Sequence, residues 1–127
     1  MTTRVLAAVF DCRDPIRIAE FWATALSYVV DDHDDEGVAE LGISDPSGDG
    51  PMIYFMAVPE PKTIKNRVHL DLEPEISIEE EAERLVAAGA RVVGARQDPP
   101  DSNDPYRWIV MEDPEGNEFC VAAPAAG

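Results

Sequence analysis

The sequence predicts an α+β fold made of two units that share one element order: strand, helix, and three further strands. Three observations support this prediction. A predicted strand opens each half, a capped amphipathic helix follows it, and an Asp-Pro-x-Gly turn precedes the last strand. The two turns are Asp45-Pro46-Ser47-Gly48 and Asp113-Pro114-Glu115-Gly116. A repeat of about 60 residues indicates an internally duplicated architecture. We therefore predict a single domain over residues 1–127, built of repeats 1–60 and 61–127.

The first repeat opens with RVLAAVF at residues 4–10, an apolar run of strand length. Asp14 followed by Pro15 predicts a helix start, because Asp caps free N–H groups and Pro tolerates the first turn. We expect this helix to end near Ser27, with strands in YVVDD, VAELGIS and MIYFMAV after it. Apolar residues at helical spacing mark its buried face: Ile18, Phe21, Trp22, Ala25 and Leu26.

The second repeat opens with RVHLDLE at residues 67–73, which alternates as a strand does. Ser77 with Glu80 forms a capping box at a helix start, and Gly89 stands where a helix usually ends. The strands ARVVGA, YRWIVME and EFCVAA follow. The predicted buried face of this helix comprises Ile78, Ala82, Leu85 and Val86.

Charge and composition exclude several classes of partner. Ten basic residues against 26 acidic ones give a net charge of −16, which repels phosphate backbones and anionic lipids. We therefore expect no nucleic-acid and no membrane partner. No apolar run is long enough for a membrane span, and the N-terminus lacks the pattern of a secretory signal. The two cysteines lack metal-binding or disulfide-framework spacing. These features together predict a cytoplasmic protein.

The two βαβββ units with their Asp-Pro-x-Gly turns resemble the vicinal oxygen chelate superfamily. That group includes glyoxalase I, extradiol dioxygenases, fosfomycin-modifying enzymes and bleomycin-resistance proteins. The stretches NRVHLDLE and DPEGNEFCV most resemble small bacterial glyoxalase-like domain proteins. The resemblance implies curved sheets that form a cleft, a small-molecule ligand and a homodimer. It does not imply one reaction, because this fold hosts lyases, oxygenases, transferases and plain binders.

The resemblance also implies where a divalent metal ion would bind: His or Gln on the first strand of a unit and Glu on its last strand. In the first repeat, neither the predicted first strand nor the predicted last strand carries such a residue. In the second repeat, His69 occupies the family's His position and Cys120 occupies the Glu position. Because catalytic sites usually fix three protein ligands, we predict that no metal ion and no other cofactor is bound.

Two residues are candidates for catalysis. His69 can act as a general base or as a ligand-contacting donor oriented by Asp71 on the same face, or can be a hydrogen-bonded cleft residue without such a role. Cys120 can be a nucleophile if His69 on the neighbouring strand lowers its pKa. Free cysteines are more often packed in the core.

Further residues are candidates for ligand contact. Tyr54, Met52 and Trp108 are large and amphipathic or soft, so they either line an apolar cleft or pack in the core. Glu118 shares the face of Cys120 and either touches ligand or stabilises the turn. The predicted ligand-binding set is His69, Asp71, Tyr54, Met52, Trp108 and Glu118.

The function predicted from these residues is the binding of a small, partly apolar molecule in a cleft without a metal ion, as in glyoxalase- and bleomycin-resistance-like proteins. Three alternatives stay open. The protein can be a metal-dependent lyase or dioxygenase, a metal-free isomerase-type enzyme using His69 as base, or a dimerisation module without a ligand.

Overall fold

A computed structural model describes residues 1–125 of the chain and divides into two compact units. The first unit spans Met1–Lys62 and the second begins at Thr63. Each unit has the predicted order of one strand, one helix and three strands. The α+β prediction with two βαβββ units is therefore confirmed.

The first unit is a four-stranded sheet with one helix. Its elements are β1 (Ala7–Cys12), α1 (Pro15–Leu26), β2 (Val29–Val30), β3 (Glu40–Ser44) and β4 (Met52–Ala57). The strand order is β1-β4-β3-β2, with β1 parallel to β4 and the other neighbours antiparallel. The parallel pair is possible because α1 carries the chain across the sheet between β1 and the later strands.

The second unit repeats this topology. Its elements are β5 (Asp71–Leu72), α2 (Ile78–Ala88), β6 (Arg91–Gln97), β7 (Tyr106–Glu112) and β8 (Glu118–Pro124). The strand order is β5-β8-β7-β6, and β5 runs parallel to β8 as β1 does to β4. Neither helix within residues 1–125 has the length and apolarity needed to span a bilayer.

The helix ends follow the predicted signals. The Asp14 carboxylate accepts the Arg17 N–H at 3.2 Å, and Ser27 ends α1 in the left-handed conformation. The Ser77 hydroxyl accepts the Glu80 N–H at 3.1 Å, and Gly89 ends α2 at φ 123°. These contacts satisfy backbone groups that a helix end would otherwise leave without partners.

Each helix covers one face of its own sheet. In the first unit the Trp22 ring packs against Phe10, which in turn contacts Phe55 with a centroid distance of 5.4 Å. Phe21 and Trp22 are both buried, as predicted. In the second unit α2 buries Ile78, Ala82 and Leu85. Met111, Phe119 and Val121 of β7 and β8 are buried as well. Among residues 1–125, no helix of the same unit covers the opposite face of either sheet.

Three predicted details were wrong. The first strand begins at Ala7 and continues to Cys12, because residues 7–12 pair with all of β4; Asp11 is therefore a strand residue. The run RVHLDLE forms a strand only at residues 71–72, so His69 precedes β5 instead of lying mid-strand. Val86 is exposed, and Glu81 is buried in its place through an ion pair with Arg84 at 2.6 Å.

Candidate functional site

The open face of the second sheet carries the side chains that alternate with the helix-covered ones. On β8 these are Glu118, Cys120 and Ala122, because Phe119 and Val121 point to the core. The antiparallel register places Val110 opposite Cys120 and Trp108 opposite Ala122. The side chains of Trp108, Cys120 and Glu118 therefore lie on the same open face of the sheet.

His69, Asp71 and Cys120 form the main cluster of this face. The parallel register of β5 and β8 places Asp71 directly beside Cys120, and the Cys120 N–H donates to the Leu70 carbonyl at 2.9 Å. One ligand atom from each of the three side chains lies within 4.8 Å of the other two. His69 Nε2 is 3.5 Å from Asp71 Oδ1. The structure thus assembles three of the predicted site residues.

Exposure divides this cluster into an accessible part and a buried part. The side chains of His69 and Asp71 are 45% and 67% exposed, whereas Cys120 is 7% exposed. Burial raises the pKa of the Cys120 thiol, and the charge of Asp71 and a hydrogen bond to it raise that pKa further, against a smaller opposing effect of Lys65. The thiol is therefore protonated at neutral pH, which disfavours its predicted role as a nucleophile.

Glu118 holds the backbone that leads to His69. Its carboxylate accepts the Asn66 N–H, with distances of 3.1 Å to Oε1 and 3.4 Å to Oε2. The Asn66 side chain donates to Asn117 Oδ1 at 3.1 Å. Asn66 lies three residues before His69, so these contacts give Glu118 a structural role in holding that segment. A direct contact between Glu118 and a ligand stays a prediction.

The Asp113 turn fixes the start of β8. Asp113 is 4% exposed and its Oδ1 accepts the Glu115 and Asn117 N–H groups at 2.8 and 3.0 Å. Its Oδ2 accepts the Asn117 side-chain amide at 2.9 Å. Gly116 adopts φ 85°, a conformation that favours glycine. The Asp-Pro-x-Gly turn therefore acts as a scaffold for the residues that follow it.

The predicted residues Met52 and Tyr54 lie side by side on the open face of the first sheet. The Tyr54 hydroxyl is 3.9 Å from the Met52 sulfur, and Ile53 and Phe55 alternate with them toward α1. Both side chains are half-buried. They are thus surface-lining residues of the first unit and do not belong to its helix-covered core.

Sequence reasoning missed three carboxylates on that same face. Asp11 and Glu40 are both Cα partners of Met56, and the Asp31 carboxylate lies against Gly42, the partner of Tyr54. The predicted first strand ends at Phe10 and therefore leaves Asp11 out. Extending the strand alternation by one residue identifies it, whereas Asp31 carries no such signal in the sequence.

The donor atoms of the His69 cluster fit part of a metal site. A zinc ion bound by nitrogen and sulfur lies about 2.0–2.3 Å from each ligand, so three donors within 4.8 Å of one another can share one ion. Asp71 is the donor that the sequence prediction did not count. Binding would require the Cys120 thiolate, against the raised pKa of that thiol. The expectation of a metal-free protein stays a prediction.

A groove of about 420 Å³ lies beside α2, away from this cluster. It is bordered by the first turn of α2 and by β6 and β7. Arg107 and Glu79 pair at its edge with two contacts of 2.8 and 2.9 Å. Arg107 and Ile109 point to the helix side of β7, and Trp108 also borders this groove.

Comparison with known proteins agrees with the fold. No curated protein matches the chain. A glyoxalase/bleomycin resistance protein/dioxygenase family enzyme from Burkholderia phytofirmans is 16% identical with a TM-score of 0.70, covering 94% of this chain and 98% of that one. The fosfomycin resistance protein FosX from Mesorhizobium loti is 14% identical with a TM-score of 0.68, covering 98% and 95%.

A variant of the Listeria monocytogenes FosX protein, complexed with Mn(II) and 1S,2S-dihydroxypropylphosphonic acid, is 16% identical. Its TM-score is 0.71, and the match covers 98% of this chain and 93% of that one. At these identities the likeness shows the fold alone. The family model of the glyoxalase-like domain matches residues 7–122, which include every strand and helix up to β8. This chain belongs to the glyoxalase-like domain family.

Proposed function

We propose that this protein binds a small, partly apolar molecule without requiring a metal ion, and that His69 and Asp71 orient the ligand. The observation that carries the proposal is the exposed His69–Asp71 pair beside the buried Cys120 thiol. A buried, protonated thiol contributes apolar surface to a binding site, and an exposed imidazole beside a carboxylate is a directional hydrogen-bonding group.

The surroundings of this pair support ligand binding. Val110, Ala122 and Trp108 lie on the same face as Cys120 and are each half-buried. Apolar surface with a few convergent polar groups is typical of small-molecule sites. The Asp71 carboxylate, 3.5 Å from Nε2, stabilises an imidazole that donates from this nitrogen, so Nδ1 is left to accept a hydrogen bond from a ligand.

The chain offers a matched control for the role of His69, because His33 is its only other histidine. His33 is exposed in the acidic segment after β2, where Nδ1 contacts the Asp34 carbonyl. A thermal-shift screen of aromatic metabolites, antibiotics and small electrophiles should first yield a binder. We then expect His69→Ala to weaken that binder about tenfold, and His33→Ala to leave its affinity unchanged.

The outcome that contradicts this assignment is equal affinity in the wild-type protein and His69→Ala. Circular dichroism and the melting temperature without ligand should match between the two variants, since both histidines are exposed. If no compound in a broad screen raises the melting temperature, the binding function itself is refuted.

The second candidate function is that of a metal-dependent enzyme. It is favoured by the three donors of His69, Asp71 and Cys120, and a structural neighbour was determined with Mn(II). Metal analysis of the purified protein decides between the two. Binding that survives chelation supports the leading proposal, whereas binding that is lost on chelation and restored by Zn²⁺ or Mn²⁺ supports the enzyme.

We also propose that the two repeats act as one domain and that the protein is a cytoplasmic homodimer, on the strength of the family resemblance. Light scattering after gel filtration measures the subunit number, and a monomer at micromolar concentration contradicts the dimer.

A further inference from the structure

The open face of the first sheet has an apolar, aromatic centre. Tyr54 on β4 has Val9 of β1 on one side and Gly42 of β3 on the other. Met52 and Met56 lie two residues before and after it on the same face. Val9 and Met56 are both exposed. The face therefore presents an aromatic ring and polarizable thioethers to solvent.

Gly42 brings a carboxylate to the edge of the Tyr54 ring. A Cβ at Gly42 would lie 2.6 Å from Asp31 Oδ2 and 2.9 Å from the nearest ring carbon of Tyr54. The missing side chain thus leaves the space that the Asp31 carboxylate and the ring occupy together. Asp31 is held there by its backbone N–H, which donates to the Gly42 carbonyl at 3.0 Å.

Two more carboxylates stand on either side of Met56. Glu40 and Asp11 are its Cα partners on β3 and β1, so their backbones are about 9–10 Å apart at the usual strand spacing. Both are exposed. The residues that β1, β3 and β4 place on this face include no Lys, Arg or His. The charge of these strands on the face is therefore uniformly negative.

This combination selects one class of ligand. Carboxylates around an aromatic ring attract an ammonium or guanidinium group, and the ring face adds a cation–π contact. A single metal ion bound by Asp11 and Glu40 would have to occupy the space of the Met56 side chain between them, because carboxylate oxygens approach a metal to about 2.0–2.6 Å. Anionic ligands are repelled by the same charges.

We propose that the open face of the first sheet binds an organic cation with an apolar or aromatic body, such as an arylalkyl amine. The inference goes beyond the proposed function, since this face belongs to the first unit and includes neither His69 nor Asp71. The ammonium group lies among Asp31, Glu40 and Asp11, and the apolar body lies on the Tyr54 and methionine surface.

The test compares three compounds that differ only in the charge of one end group: 4-phenylbutylamine, 4-phenylbutan-1-ol and 4-phenylbutanoate. Binding is followed by NMR of methionine methyl groups labelled with ¹³C. Met52 and Met56 report on the face, whereas Met111 is fully buried in the second unit and serves as the internal reference.

Matched variants separate local charge from net charge. Asp31→Asn with Glu40→Gln removes two charges from the face. Asp35→Asn with Glu36→Gln removes the same two residue types from the exposed acidic segment between β2 and β3. All four positions are exposed, and the chemical shift of the Met111 methyl group checks the fold.

We expect the amine to shift the Met52 and Met56 resonances and to bind at least fivefold more tightly than the alcohol, with no binding of the carboxylate. The Asp31/Glu40 variant should lose this preference and the Asp35/Glu36 variant should keep it. Equal affinity for amine and alcohol overturns the charge assignment but leaves the small-molecule function intact. Equal weakening in both variants, shifts confined to other residues, or no binding of the amine at millimolar concentration also overturns it.

Discussion

Replacement of Asp113 by alanine tests the role of the buried turn that precedes β8. The Asp113 carboxylate accepts the N–H groups of Glu115 and Asn117 and the side-chain amide of Asn117. Both Asp113 and Asn117 are buried. Alanine at this position removes the carboxylate, so these N–H donors lose the acceptor that they have in the wild-type protein.

The magnitude follows from the two donors that Asn117 contributes. A buried polar group that loses its partner costs about 1–3 kcal/mol, and more when the partner was charged. Two such donors give a loss of about 3 kcal/mol in the free energy of unfolding. With a urea m-value of about 2 kcal/mol/M, the midpoint of unfolding should fall by about 1.5 M.

The matched control is Asp45→Ala in the corresponding turn of the first unit. Asp45 accepts the Ser47 N–H and hydroxyl at 2.9 and 2.7 Å and the Gly50 N–H at 2.9 Å. These contacts are more accessible to solvent, so water can replace the lost acceptor. The midpoint of this variant should fall clearly less than that of Asp113→Ala.

The assay is equilibrium unfolding in urea at pH 7, followed by tryptophan fluorescence and circular dichroism. The m-value should stay unchanged, because the variant alters the native turn and not the surface exposed on unfolding. A midpoint shift below about 0.5 M for Asp113→Ala, or a shift equal to that of Asp45→Ala, would refute the reasoning from buried donors.

Three further predictions concern the Cys120 thiol and the start of α2. In a Cys12→Ala background, Asp71→Asn should lower the pKa of Cys120 and speed its alkylation by iodoacetamide at pH 8, since Asp71 raises that pKa; an unchanged rate contradicts this. Because the pKa of Cys120 is raised in the folded protein, the contribution of this thiol to stability should be fully present below the ordinary thiol pKa and be lost as pH rises through the folded pKa. Cys120→Ala should therefore reduce the loss of stability at alkaline pH. Ser77→Ala removes the acceptor of the Glu80 N–H and should cost about 1 kcal/mol in urea unfolding.

The parts of the fold that could be predicted are those set by neighbours in the sequence. Asp14 with Pro15 and Ser77 with Glu80 mark helix starts, because the capping contacts join residues within one turn. The Asp113 turn is local in the same sense. Together these local signals predict the order of strands and helices in both units.

The strand boundaries depend on partners far along the chain, which explains the errors there. Asp11 and Cys12 extend β1 because Met56 and Ala57 of β4 are present to pair with them. The predicted strand around His69 is too long, because pairing with β8 covers only residues 71–72. Periodicity describes one segment at a time and contains no information on where a partner strand ends.

For the candidate site, the sequence predicted that three residues lie near one another, but it did not predict how exposed each of them is. The sequence placed His69, Asp71 and Cys120 on neighbouring strands, yet the exposure that separates the imidazole from the thiol comes from packing. The contact between Asp31 and Gly42 had no sequence signal, because it depends on the backbone bond that follows β2.

The Asp113 turn also connects to the predicted ligand site through hydrogen bonds. Asp113 orients Asn117, whose side-chain oxygen accepts the Asn66 amide, and the Asn66 backbone donates to Glu118. Asn66 lies three residues before His69, so this chain of contacts holds the segment that delivers the imidazole to the open face. Within residues 1–125 the short β5 pairs with β8 alone, so these hydrogen bonds add to the contacts that hold the segment before it. The Asp113 turn and the segment that carries His69 are therefore joined by one chain of hydrogen bonds. Loss of Asp113 should weaken ligand binding as well as stability.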